Sequence, residues 1–293
     1  MYTYRPVTER MQRLRERIRD RVVVNTAERA LILTEAYKKY ENLDPMLKRP
    51  LAFKELCEKM TIFVDDDEII VGGKGPHLFS SPAYPEWGVS DWILEPLDKG
   101  EWTLREDGLL HNPDDEPVRL AISPEDYKAL KSVIGYWQNK RVGTVADAWQ
   151  PDHHAELKRL LVSSYVDGGM GLVSLPAGHL VAGYKKIITV GYKAIRDQAQ
   201  AWIDEHYGNL MGEDVRKYLF YKSIVIACDA AMTLVRRYSE CCAAKAAQTI
   251  DPKRKAELEK MADGLANLVE NPARNFWEAV QGIMMYQVML QNE

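Results

Sequence analysis

Apolar positions recur at helical spacing along most of the chain and alternate only in short stretches. Near the start, Met11, Leu14, Ile18 and Val22 step by three and four residues, which predicts an amphipathic helix. Arginines stand at 10, 13, 15, 17, 19 and 21 around that stripe. Glu9 to Arg13 and Glu16 to Arg19 are spaced for intrahelical ion pairs, so the expected face is basic and solvated. The stretch NTAERALILTEAYKKY places Ala27, Leu31, Thr34 and Tyr37 on one helical face. Asn25 and Glu28 lie ahead of it at capping-box spacing. Another helix is expected over roughly 50–59, followed by MTIFVDDDEIIVGG as strand, acidic turn and strand.

Residues 72–91 are dense in glycine, proline and rings, which predicts ordered irregular chain. EWTLREDGLLHN reads as a hairpin with Asp107 and Gly108 as a two-residue turn. Ser123 then caps a helix whose first residue is Pro124. From about Tyr184 the pattern is helical, with Ile188, Tyr192, Ile195, Ala199 and Trp202 on one face. Residues 213–248 lack glycine and proline and carry the stripe Ile224, Cys228, Ala231, Val235, Tyr238, Cys242. A last helix is expected to begin at Asn271 as cap with Pro272 behind it. It meets no stop signal, which points to a fragment of something longer.

At 293 residues, 46% hydrophobic and 28% charged, the chain has enough apolar side chain for a sizeable core, and no linker composition divides it. The formal charge of -4 provides no general attraction for nucleic acid or an anionic membrane. Cys57, Cys228, Cys241 and Cys242 show no C-x-x-C spacing and read as packing residues in a reducing cytoplasm. There is no continuous run of about 18 apolar residues. The N-terminus lacks the apolar core of a secretion signal and carries Glu9, Glu16 and Asp20, unlike a transit peptide. A soluble cytoplasmic protein is expected.

Phosphate-loop, dinucleotide and H-E-x-x-H motifs are missing, and so is the Gly-x-Ser-x-Gly elbow. Asp65, Asp66 and Asp67 diverge in direction and belong to no EF-hand loop, so a turn is expected there and not a metal site. His153, His154 and Glu156 provide two ligands on a helical face without a third, which reads as an exposed cluster. His179, in LPAGHLVAGYKK, stands between Gly178 and Gly183 on a loop that leads into a helix. Such a placement suits either a substrate contact or a structural hydrogen bond.

Six segments in order, TAERALILTEAYKKYE, DDDEIIVGGKG, SPAYPE, AGHLVAGYKKIITVGY, IACDAAMTLVRRYSE and ENPARNFWEAVQ, resemble the N-terminal part of a glycyl radical enzyme of the pyruvate formate-lyase-like family. The likeness runs from about Thr26 to the end and is nearest in pattern to the diol and hydroxyproline dehydratase branch. It implies a mainly α fold with a few short strands, the N-terminal portion of a ten-stranded α/β barrel. Residues 1–293 would be one part of that domain, truncated before the catalytic cysteine loop and the C-terminal glycyl radical domain.

The implied activity is that of a lyase or dehydratase. Such an enzyme cleaves a C–O or other C–X bond of a small metabolite through thiyl-radical hydrogen abstraction, and this portion alone would be inactive. None of the four cysteines stands in a Gly-Cys-x-Glu context, and the stretch RVGT at 141–144 only mimics the radical loop. By the resemblance, His179 matches a dehydratase residue that contacts substrate near the departing hydroxyl. No metal or bound cofactor is implied. The glycyl radical of the full-length enzyme would be installed by a radical S-adenosylmethionine activase, the full-length enzyme would form a homodimer, and neither nucleic acid nor membrane is a partner. Two other readings stay open: radical C–C chemistry of the arylalkylsuccinate synthase or arylacetate decarboxylase type, and a non-catalytic binding protein derived from the enzyme. The apolar stretch GGMGLVSLP ahead of His179 favours the first of these.

Overall fold

The longest helical pattern in the sequence forms the longest helix. In the computed structural model, which describes residues 7–87, 91–114, 116–141, 144 and 182–292, it runs unbroken over Glu213–Gln248. Along it Cys228, Ala231, Val235, Tyr238 and Cys242 are all buried, as their spacing predicts. His153, His154, Glu156 and His179 lie outside the described residues.

In chain order the helices are α1 (Glu9–Arg19), α2 (Glu28–Lys39), α3 (Pro45–Lys59), α4 (Asp91–Asp98), α5 (Pro124–Trp137), α6 (Tyr184–Val190), α7 (Tyr192–His206), α8 (Glu213–Gln248), α9 (Pro252–Glu270) and α10 (Phe276–Asn292). The strands are β1 (Val23–Thr26), β2 (Ser80–Pro82), β3 (Thr103–Leu104), β4 (Leu110–His111) and β5 (Leu120–Ile122). They make one mixed sheet ordered β2-β1-β5-β4-β3. Strand β1 is parallel to both neighbours, with Val24 opposite Ser80 and Ala121. The β3–β4 and β4–β5 pairs are antiparallel. The architecture is mainly α with a few short strands, as expected.

The main core lies where α8 crosses α3, α9 and α10, through Leu234, Tyr238, Leu258, Leu265, Cys57 and Met285, each 2% exposed or less. Each large apolar side chain buried this fully contributes about 1.5–3 kcal/mol. By length and composition α8 is long and apolar enough to cross a membrane. Its stripe is instead packed against neighbouring helices of the same chain. Helix α2 is buried on two sides and not one: Ala27 and Ala30 meet α5, while Leu33 and Ala36 meet α3 and Trp137. Thr34, on the expected face, accepts a 2.8 Å bond from Trp137 Nε1 and donates to Ala30 O, so no buried polar atom there is orphaned.

Several local expectations need correction. The arginines of α1 do not pair along their own helix in the way expected. Arg10 reaches Glu257 of α9, while Arg13 and Arg17 reach Asp67 and Asp65. The acidic turn at 65–67 is present, but no strand flanks it; helix side chains bond the carbonyls of Met60, Val64, Asp65 and Glu68 and both backbone groups of Val71 and Gly73. Asn25 does not cap α2. It lies in β1 and donates to Ala121 O, while Glu28 turns to Thr61. Helix α3 starts earlier than expected, at Pro45, behind Asp44, which accepts from Met46 N.

The hairpin forms, but as a three-residue loop. Gly108 N closes on Arg105 O with Gly108 at φ 79°, and Arg105 N pairs with Leu109 O. Asn271 ends α9 and does not open α10. The cap of α10 is Asn275, in reciprocal contact with Glu278, four residues after the cap expected at Asn271. Ser123 caps α5 as expected, accepting from Asp126 N.

Candidate functional site

A cavity of about 770 Å³ opens where α3, α6, α7, α8 and α10 meet. Its apolar wall includes Phe53, Ile187, Ile195, Ile224 and Met289. Small residues of α8, Ala227, Cys228 and Ala231, face it and leave the space that larger side chains would fill. Polar atoms come from Arg49, Lys186, Ser223, Tyr192 and Tyr286. This is the size and lining of a small-molecule pocket, apolar with a few polar groups.

The polar groups are mostly committed. The Ser223 hydroxyl donates back to Phe220 O at 2.6 Å. Tyr192, 5% exposed, donates to Met289 Sδ at 3.7 Å, and burial pushes its hydroxyl pKa up. Burial, with the Asp229 charge beside it, pushes the Cys228 thiol up to about 11, so it is a neutral thiol near pH 7 and a poor nucleophile. Burial also raises Cys57 and Cys241 and pushes Cys242 up to about 12. These thiols act as apolar packing, in keeping with their sequence context. The described lining contains neither carboxylate nor imidazole, which leaves Lys186 and the tyrosines as its candidate acids or bases beside the thiol of Cys228.

Gly183 is part of the lining and forms the N-cap of α6. It stands four positions after His179 in the sequence. Helices α6 and α7 are two elements where the periodicity predicted one. The chain breaks at Gly191, whose φ of 83° suits glycine, and an added Cβ would stand 3.0 Å from Asn271 C. Tyr192 was legible as part of the apolar face. Arg49 and Lys186 were not, since a lone cation near a helix end carries no pattern.

A second polar junction was also missed. Arg29, 3% exposed, donates to Asn292 O at 2.7 Å, pairs with Glu86 at 2.6 Å and stacks 4.3 Å from the Tyr84 ring. Tyr84 in turn donates to Gln291 O. The SPAYPE segment and α2 thereby hold the carbonyls at the end of α10. The only sequence signal was a charged residue inside an apolar helix.

Residues 6–293 match the profile of the family described as pyruvate formate lyase-like. The chain is 27% identical over 296 residues to (2S)-3-sulfopropanediol dehydratase of Klebsiella oxytoca, a match that covers 97% of this chain and 33% of that protein. It is 30% identical over 272 residues to isethionate sulfite-lyase of Nitratidesulfovibrio vulgaris, covering 89% of this chain and 30% of the relative. The glycerol-bound B12-independent glycerol dehydratase from Clostridium butyricum superposes on 99% of this chain and 35% of its own, with a TM-score of 0.85 and 27% identity. The chain spans about a third of the length of the relatives it matches.

Proposed function

The chain belongs to the pyruvate formate lyase-like family, and we propose that it supplies the N-terminal, mainly helical portion of a glycyl radical lyase. That enzyme would cleave a C–O or other C–X bond of a small hydroxylated metabolite. The observation that carries this reading is the family match over residues 6–293, together with the fold shared with a glycerol dehydratase. Dehydratase and sulfite-lyase relatives support the same bond class. In this reading residues 1–293 precede the catalytic cysteine loop and the radical domain, and the portion alone is inactive. A radical S-adenosylmethionine activase and a second copy of the full-length protein are the partners, in the cytoplasm, with no role for nucleic acid or membrane.

The radical, once installed, supplies hydrogen-atom abstraction from the substrate. The contribution of this chain is positional and polar. His179 would hydrogen-bond the departing hydroxyl as a neutral imidazole, or protonate it as an imidazolium, from a placement flanked by glycines. Radical C–C chemistry is the second reading. The apolar run at 168–176 and the apolar cavity wall favour it.

The test is anaerobic activation of the enzyme that contains this chain, with the glycyl radical read by electron paramagnetic resonance. Loss of hydroxyl from 1,2-diols, hydroxyproline and hydroxyalkylsulfonates is then assayed. A radical signal with turnover of one of these, and turnover lost in His179→Ala with the radical retained, supports the proposal. Decarboxylation of arylacetates by the radical-bearing enzyme would replace it with the second reading, and failure to form a radical would overturn both.

A further inference from the structure

Helix α6 has only seven residues, Tyr184–Val190, none of them buried, and its cap Gly183 offers no side chain. A helix this short is not stable by itself, so its position has to come from outside contacts. Two sets hold it. At its end, Ala273 N donates to Ile188 O at 2.9 Å, and the backbone of Gly191 abuts Asn271. At its start, the Tyr184 hydroxyl donates to Gln287 Oε1 of α10, and the Tyr184 ring meets Tyr286 edge-on with centroids 5.7 Å apart. The end is therefore fixed by backbone and sterics and Ile187 rests on the main core, whereas the first residue, Tyr184, is held by one hydroxyl and one ring. The start is also the part of α6 that borders the cavity, through Gly183, Lys186 and Ile187.

We infer that Tyr184 and Gln287 form a positioning pair that sets the cavity-side start of α6 against α10. His179 stands five positions before Tyr184 in the sequence, so the pair lies close along the chain to the proposed substrate contact. The pair touches no reacting atom. It acts by removing freedom from the residues that do, where a displacement of about 1 Å can cost up to about 100-fold in rate. The catalytic half of this inference rests on the substrate role proposed for His179. The structural half does not.

Two readouts test it. Hydrogen exchange by mass spectrometry on the chain itself should show faster exchange over 182–190 in Tyr184→Phe and in Gln287→Met. Gln287→Glu, which keeps an acceptor for the tyrosine hydroxyl, should behave as the parent does. In the activated enzyme, Tyr184→Phe and Gln287→Met should each lower kcat about tenfold with KM little changed. Their double variant should be no worse than either single, because both remove one interaction.

Unchanged exchange in Tyr184→Phe overturns the inference, and so does a fall in thermal stability with kcat intact. His179→Ala in parallel separates the two ideas. If it loses kcat while Tyr184→Phe keeps it, the positioning pair falls and the substrate contact stands. If His179→Ala is fully active while Tyr184→Phe is impaired, the histidine role falls and the pair stands as support for the cavity wall.

Discussion

Gln281 of α10 stands in for a β-strand beside Val71. Its Nε2 donates to Val71 O at 2.8 Å, and its Oε1 accepts from Val71 N at 2.9 Å, with both residues fully buried. Tyr238 does the same for Gly73, accepting from its N–H and donating to its carbonyl at 3.0 Å each. Arg237, Lys245 and Arg254 take the carbonyls of Cys57, Met60, Val64, Asp65 and Glu68. A segment that reads as two strands thus has several of its backbone groups paired with helix side chains in place of a ladder.

Gln281→Leu keeps the volume and removes both bonds, stranding the N–H and C=O of Val71. The expected loss is about 2–4 kcal/mol, one to two desolvated groups' worth, read as a lower midpoint in urea denaturation at unchanged slope. A midpoint equal to the parent's would mean that water or another group serves Val71.

Glu55 governs part of the acid limb of stability. Burial would raise its carboxyl, but hydrogen bonds from Lys39, Lys59 and Tyr40 outweigh that and lower it from 4.5 to about 2. A pKa lower in the folded state means that the stabilisation is complete above pH 4.5 and is lost as pH falls toward 2. The two lysines are exposed, so solvent screening reduces the contribution to about 1–2 kcal/mol. Glu55→Gln should flatten the stability profile between those pH values, measured by urea denaturation across pH. A profile parallel to the parent's would contradict the assignment.

Helix α1 is held by charge and not by packing. None of its residues is buried, and Arg10, Arg13 and Arg17 reach Glu257, Asp67 and Asp65. Hydrogen bonds from Arg17 and Arg13 hold the Asp65 and Asp67 carboxyls below the usual range. At about 1 M salt, where screening acts within about 3 Å, trypsin should cut after Arg13 and Arg17 much faster while the rest of the fold stays resistant. Asp65→Asn combined with Asp67→Asn should give the same pattern at low salt. Salt-independent cleavage would show that apolar contacts hold the helix.

Gly191→Ala tests the break between α6 and α7. The left-handed φ and the approach to Asn271 should together cost about 1–3 kcal/mol by thermal or urea melting. An unchanged or more stable variant would mean that the continuous helix implied by the periodicity is equally accessible.

Legibility followed locality. The extent of α8, the Ser123 cap and the presence, though not the loop length, of the hairpin at Gly108 each depend on residues a few positions apart and were readable. The family segments carried the fold, and His179 was the one candidate for substrate contact that the sequence offered. The apolar cavity was not readable, because its wall combines five helices and its emptiness follows from small residues on α8 meeting α3 and α10.

By itself the sequence decided where α1, α2, α5 and α8 lie, which face of α8 is apolar, and to which family the chain is kin, since periodicity and ordered motifs are written in neighbouring residues. Tertiary structure alone decided that Val71 would be served by Gln281 and not by a strand, that α1 would be tethered to an acidic turn, and that one helix would split at Gly191. In each case the deciding partner is remote in sequence, 210 residues away for Val71. A backbone group accepts any donor or acceptor that packing delivers, and packing is a property of the assembled chain.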